Sequence, residues 1–220
     1  MKLHLGCGPN IYEGWINIDR SIPNPKLLNN TKGKLFSILY RLEKWWEIYN
    51  TPIEKRIKVC DLTKPFPFED NSVDAIFHSH VVEHFTFSGE YNIERDSMVH
   101  FFLKECHRVL KPGGVMRCST PDFDLLLNHL HNKNEDYFFK ELLEDGLTKL
   151  ETIEECFLRI LYERSTHGYC FNYEILEKLL KYCGFSEVEK KGFREGSSPL
   201  IDAQLMDNRV TESMFLEIRK

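Results

Sequence analysis

Apolar and polar positions divide the chain into short runs of strand length and longer amphipathic stretches. Strands are predicted at residues 2–5, 15–19, 57–60, 73–78, 114–119, 187–193 and 212–219. Between them, Val99, Phe102, Leu103, Cys106, Val109 and Leu110 recur at helical spacing behind Ser97, a hydroxyl suited to an N-cap. Ile175, Leu176, Leu179, Leu180 and Cys183 do the same behind Asn172, and Gly184 is placed to close that helix. Pro112-Gly113-Gly114 ends the earlier helix, since proline cannot continue it and glycine accepts left-handed turn angles. Strands alternating with helices predict an α/β domain with a mainly parallel sheet covered on both faces. Too little helix separates the last two strands for a right-handed crossover, so they are predicted to form an antiparallel edge pair.

A chain of 220 residues with 42 % apolar content can bury one full core, and residues 1–220 are read as one domain. Two segments exceed what the sheet needs: 21–56 after the second strand and 122–166 after the fifth. Both leave from carboxyl ends of strands, where parallel sheets bind ligands, so they are expected to cap the site. Within the first, residues 35–49 are aromatic-rich with Arg41 and Lys44. That stretch suits a buried or dimer-forming amphipathic helix, the wall of an acceptor pocket, or peripheral contact with a membrane. Oligomeric state is left open.

The net charge of −5 argues against nucleic acid as partner. No run of about 18 apolar residues is present to span a membrane. No secretory leader is expected, because Gly6-Cys7-Gly8-Pro9 interrupts the apolar start. Seven cysteines without Cys-x-x-Cys spacing predict free thiols in a reducing, cytoplasmic setting and no zinc.

The densest chemistry lies in residues 3–19. A short strand enters Gly6-Cys7-Gly8, and the next strand ends on Asp19. Glycines at a strand end permit a tight turn and close approach to a ligand. An acid at the following strand tip can accept two hydrogen bonds from a ribose diol. Together they describe a nucleoside crevice. It is not the dinucleotide fingerprint: Ile11 stands where the third glycine belongs, and Asp19 follows Gly6 by 13 residues rather than about 20. No Gly-Lys-Ser/Thr follows, which excludes a P-loop.

Leu3-His4-Leu5-Gly6-Cys7-Gly8 resembles the first motif of class I S-adenosylmethionine-dependent methyltransferases. Similar features follow in the family's order: Asp61-Leu62 after the third strand, Pro65-Phe66-Pro67-Phe68 leading to Ser72-Val73-Asp74, Glu83-His84 after the fourth strand, and Glu105 through Pro112-Gly113-Gly114. The resemblance covers residues 3–120 most closely. It implies a Rossmann-like, doubly wound seven-stranded sheet with an antiparallel strand near the C-terminal edge. It implies S-adenosylmethionine as cofactor, with Gly6, Cys7, Gly8 and Asn10 under its methionine and ribose portion. Asp19 would take the ribose hydroxyls with Arg20 beside it, Asp61 and Leu62 would bracket the adenine, and Ser79 and His80 would lie near the sulfonium. Asn10 departs from the family's glycine, and the first helix is cut to about a turn.

Methyl transfer to a hydroxyl needs a general base, and histidine suits neutral pH. His84, His167 and His80 are the candidates, each with a structural alternative. A divalent ion on Glu83 and His84 is not expected, because further carboxylates are not evident. Gly14-Trp15-Ile16-Asn17-Ile18-Asp19 and the ending Ser213–Ile218 resemble bacterial methyltransferases of surface-polysaccharide or natural-product pathways. A small-molecule or glycan acceptor follows, with O-methylation of a sugar as the leading expectation. A non-catalytic methyltransferase-like module is the alternative. A nicotinamide enzyme is disfavoured by Ile11, and no Asn-Pro-Pro-Tyr-type motif follows the fourth strand to hold a flipped base.

Overall fold

The computed structural model describes residues 1–8, 10–20, 57–85, 98–142, 151–162 and 168–220. Seven strands form one sheet: β1 (Lys2–Leu5), β2 (Ile16–Asp19), β3 (Ile57–Val59), β4 (Val73–Ser79), β5 (Leu110–Pro121), β6 (Glu187–Lys191) and β7 (Ser213–Arg219). Their order is β3-β2-β1-β4-β5-β7-β6. The first five are parallel, whereas β7 runs antiparallel to both β5 and β6. The helices are α1 (Met98–Val109), α2 (Phe123–His131), α3 (Ile153–Tyr162), α4 (Tyr173–Tyr182) and the short α5 (Ala203–Met206).

The main core lies on one face of the sheet, where Leu3, Ile76, Met116 and Leu216 meet Phe102, Cys106, Leu176 and Leu180 of α1 and α4. Both helices are amphipathic as the spacing predicts. Asn172 caps α4 by accepting from the Ile175 amide at 3.0 Å. At the other end Gly184 has φ +107, and the Phe185 amide reaches back to Leu180 O at 3.2 Å. That closure needs a left-handed residue, which glycine supplies without strain. Ser97 lies outside the described residues.

Glu105 and Arg108 on α1 clamp the loop before β4. Glu105 accepts from the Phe66 amide at 2.6 Å, and Arg108 donates to Phe66 O and Phe68 O at 3.0 and 2.9 Å. These two separated motifs are thus halves of one structural lock.

Two expectations are corrected. Pro112-Gly113-Gly114 does not stand between helix and strand. β5 already pairs at Leu110 with Val73, and the proline and glycines form an irregularity before pairing resumes at Val115 with Ala75. The first helix is not merely shortened: among the described residues 6–8 and 10–15 no helix follows β1. Buried Asn17 holds that connection instead. Its amide group donates to Tyr12 O and Trp15 O at 3.1 and 3.2 Å, and its Oδ1 accepts from the Tyr12 amide at 3.1 Å. The 192–212 connection and α5 help to cover the same face, with Ile201 and Met206 packed on Ala75, Phe77 and Val115.

The described part of 122–166 builds a small core of its own from Leu126, Phe138, Ile153, Cys156 and Phe157. Segment 21–56, with the aromatic stretch 35–49, lies outside the described residues. No helix among the described residues is long and apolar enough to cross a membrane.

Candidate active site

A cleft of about 190 Å³ opens at the carboxyl ends of β1 and β4. Its described walls are His4, Gly6, Cys7, Gly8, Asn10, Ser79, His80, His84, Asn208 and Arg209. The turn after β1 forms its floor. Gly6 and Gly8 have φ +63 and +50, a region costly for side chains with a Cβ. A Cβ on Gly6 would lie 2.4 Å from Val81 Cγ2, but one on Gly8 would meet nothing within 4 Å. Gly6 is therefore required by packing, whereas Gly8 opens onto free space. Asp19 Oδ2 accepts from the Gly8 amide at 2.8 Å and ties the turn to the tip of β2. Cys7 donates its amide to Ile18 O at 3.0 Å. Burial, with the charge of Asp19, pushes its thiol up to about 12, so Cys7 stays protonated and is a wall rather than a nucleophile.

The opposite wall begins at the end of β4. Ser79 donates to Asn208 Oδ1 at 2.8 Å and accepts from Ser119 at 2.9 Å. His80 follows with φ +53, uncommon for a residue with a side chain. Such strain costs on the order of 1 kcal/mol and needs support from its surroundings. The support is visible: its amide donates to Ser119 O at 2.8 Å, and its Nε2 lies 2.7 Å from Ser213 Oγ. Its Nδ1 is 3.1 Å from Oε1 of fully buried Glu83, and Arg209 Nη1 is 3.3 Å from the same nitrogen. One Nδ1 cannot donate to the carboxylate and accept from the guanidinium at once. The buried carboxylate has the stronger claim, because an uncompensated buried charge is expensive. Burial raises the Glu83 pKa, but the His80 contact, a backbone hydrogen bond and the charge of His84 together outweigh it and leave Glu83 below the ordinary carboxylate value. Its Oε2 accepts from Thr120 at 3.1 Å, and its carbonyl accepts from Gly168 and Tyr169. Glu83 therefore turns inward to His80, and His84, one residue on, is exposed on the cleft side.

The structure thus gathers Gly6, Cys7, Gly8, Asn10, Ser79, His80 and His84 around one cleft, with Asp19 behind Gly8. Arg20 is exposed just beyond β2. Asp61 and Leu62 do not line the described cleft. Asp61 folds onto its own turn, accepting from Thr63 N and Oγ1 at 3.0 and 2.6 Å, and Leu62 is buried in the main core. The Thr63 bonds hold the Asp61 carboxyl below its ordinary value. His167 lies outside the described residues. His4, Asn208 and Arg209 are lining residues that sequence reasoning missed. His4 carries a signal in hindsight, as a polar residue inside an apolar strand. Among the described residues no group of three or more His, Cys, Asp or Glu side chains could hold a metal ion.

A methyltransferase domain family matches residues 40–118. Over that stretch the chain is similar to methyltransferase domains. The family match begins beyond the glycine turn, so the turn's reading rests on its own geometry. No curated protein matches the sequence. Phosphoethanolamine N-methyltransferase 2 of Haemonchus contortus, solved with S-adenosyl-L-methionine, is 14 % identical with a TM-score of 0.50; 100 % of this chain and 48 % of that one are covered. A SAM-dependent methyltransferase from Archaeoglobus fulgidus is 16 % identical with a TM-score of 0.49, over 100 % of this chain and 85 % of that one. At such identities the likeness is one of fold.

Proposed function

We propose that the cleft binds S-adenosylmethionine across the Gly6–Gly8 turn and presents it to a hydroxyl of a small molecule or glycan, a sugar hydroxyl first. The observation that carries the reading is the glycine floor. Gly8 faces open space with its amide fixed by the carboxylate at the tip of β2. When bound, S-adenosylmethionine supplies an electrophilic methyl group and leaves as S-adenosylhomocysteine, its sulfur keeping the bonding pair. The chain's own residues hold and align. A carboxylate offers about four acceptor sites, so Asp19 can retain the Gly8 amide and receive ribose hydroxyls. Arg20 flanks the ribose side, and Asn10, Ser79 and His80 line the path of the methyl group. Asp61 and Leu62 are retained for the adenine side only if their turn moves inward.

Three imidazoles, His4, His80 and His84, line the described cleft. His4 is committed to Asn17 at 3.1 Å and His80 to Glu83 and Ser213. His84, exposed on the cleft side, is proposed to take the acceptor's proton, with His167 the alternative. The described part of 122–166 caps the acceptor's entry. In support, Tyr137 donates to Thr211 O at 2.8 Å, joining that segment to the 207–212 connection beside the cleft. All seven cysteines are free thiols, which favours a reducing, cytoplasmic setting.

Asp19→Ala is expected to weaken S-adenosylhomocysteine binding by about 1.5–3 kcal/mol, the range for hydrogen bonds to a charged group. Calorimetric titration measures it, and unchanged affinity removes Asp19 from the site. His84→Gln should lower turnover about 100-fold with cofactor binding intact. A loss of twofold or less would pass the role to His167 or His80. If the wild-type protein binds no S-adenosylhomocysteine, the non-catalytic module becomes the better reading.

A further inference from the structure

Asn208 and Arg209 enter the cleft wall from the connection between α5 and β7, and their placement is unusually well fixed. Asp207, just before them, accepts from Arg117 Nε at 3.1 Å and Nη2 at 2.5 Å. The Arg117 side chain is 1 % exposed and that of Asp207 0 %. A bidentate pair of this kind sets orientation as well as position. The Arg194 amide adds a bond to Asp207 Oδ2 at 2.8 Å. One residue on, Asn208 is held by Ser79 at 2.8 Å. Arg117 and Ser119 share a face of β5, in register with Phe77 and Ser79 of β4. The sheet therefore anchors Asp207 and Asn208 on two successive rungs. Arg209 follows with φ +53, and its side chain stays 50 % exposed at the cleft.

The charge balance of this wall is one-sided. Among the described lining residues Arg209 is the one fixed cation, three others are imidazoles, and none is a carboxylate. Carboxylates stand behind the wall and are engaged: Asp19 with the Gly8 amide, Glu83 with His80 and Thr120. Glu212 Oε1 approaches Arg209 Nη1 at 3.3 Å and His80 Nε2 at 4.0 Å. A half-exposed pair of that length contributes little. It also engages one of the guanidinium's five donors. A cationic acceptor would meet a guanidinium with no carboxylate among the described lining residues to balance it.

We propose that the acceptor carries an anionic oxygen group, a carboxylate or a phosphate, and that Arg209 receives it while Asn208 lends an adjacent polar contact. The inference rests on the reading of this cleft as the acceptor site and names the acceptor's chemical class. The planar fork of arginine matches both anions. The fixed approach of 207–209 means that little ordering is needed on binding.

The test is calorimetric titration of the full chain with glucuronate, glucose 6-phosphate and glucose, with and without saturating S-adenosylhomocysteine. At least one anionic sugar should bind about tenfold or more tightly than glucose, the scale of one hydrogen-bonded charge pair. Arg209→Met should abolish that preference, Arg209→Lys should keep part of it, and Glu212→Gln should strengthen it by removing a competing carboxylate. S-adenosylhomocysteine should still bind all three variants, which also reports that they are folded. Which anion wins separates a carboxylate from a phosphate acceptor. Equal binding of all three sugars, or a preference that survives Arg209→Met, overturns the proposal. Failure of S-adenosylhomocysteine to bind overturns the cofactor reading instead, and the arms without it still decide the anion preference.

Discussion

Asp207→Ala is expected to destabilise the protein by about 3–5 kcal/mol, the cost of stranding one partner of a buried ion pair. The Arg117 guanidinium is buried in the sheet, over the Phe215 ring at 5.6 Å. Its Nη1 already lacks an acceptor, so the variant would leave only the 3.2 Å bond from Nη2 to Gly192 O. The Arg194 amide loses its acceptor as well. For a chain of this length 1 kcal/mol corresponds to about 2–4 °C in Tm, so a fall of roughly 6–20 °C should appear in a thermal melt. Arg117→Met combined with Asp207→Leu should restore much of the loss, because the charge is removed along with its partner. A single variant within 1 kcal/mol of wild type would show that the pair is solvated in solution. It would also remove the anchor assigned to Asn208 and Arg209.

Acidification should act through two buried histidines. His78 is fully buried on β4 with neither ring nitrogen hydrogen-bonded, its ring edge-on to Phe102 at 5.3 Å. Burial lowers its pKa from 6.5 to about 4, opposed by the charge of Glu83. His4 is lowered to about 4 as well, chiefly by burial, against the raising effect of its Asn17 bond. Both are therefore neutral in the folded state and protonate more readily in the unfolded chain. Their contribution is complete above pH 6.5 and is lost as pH falls from 6.5 towards 4. The scale is up to about 3 kcal/mol for each histidine. Urea midpoints measured between pH 7.5 and 4.5 should fall steeply below pH 6.5. His78→Phe, which keeps an aromatic ring on Phe102, should flatten that dependence. A profile unchanged by the substitution would place the acid lability elsewhere.

Some of the fold and site was readable in sequence and some was not, for physical reasons. The central strands were legible because strands buried on both faces read as apolar runs, and all seven lie within a few residues of their predicted places. The Gly6-Cys7-Gly8 turn and Asp19 were legible because a strand end, a required left-handed backbone and an acid at the next strand tip are all local features. The 112–114 turn misled because proline and glycine punctuate locally, whereas pairing of Leu110 with Val73 is decided across the sheet. The set of Asp61 was hidden for a related reason: its neighbour Thr63 offers a bond two residues away, and a local Asx turn captures the carboxylate. Asn17 was overlooked as a polar residue in a short strand, although it takes over the work of a missing helix by holding Tyr12 and Trp15. Arg117 did carry a signal, since a charge inside Val115–Ser119 demands a partner. Its partner lies 90 residues away, and nothing local names it. Asn208 and Arg209 follow from that pairing alone, which is why the cationic side of the cleft emerged only with the fold.

The most direct test of the central claim is a map of backbone amide shifts on adding S-adenosylhomocysteine to the isotopically labelled protein. The account predicts a saturable response concentrated at Gly6, Cys7, Gly8, Asn10, Asp19, Ser79 and His80. Saturation with these amides unmoved, and shifts gathered instead on α2 and α3, would contradict it.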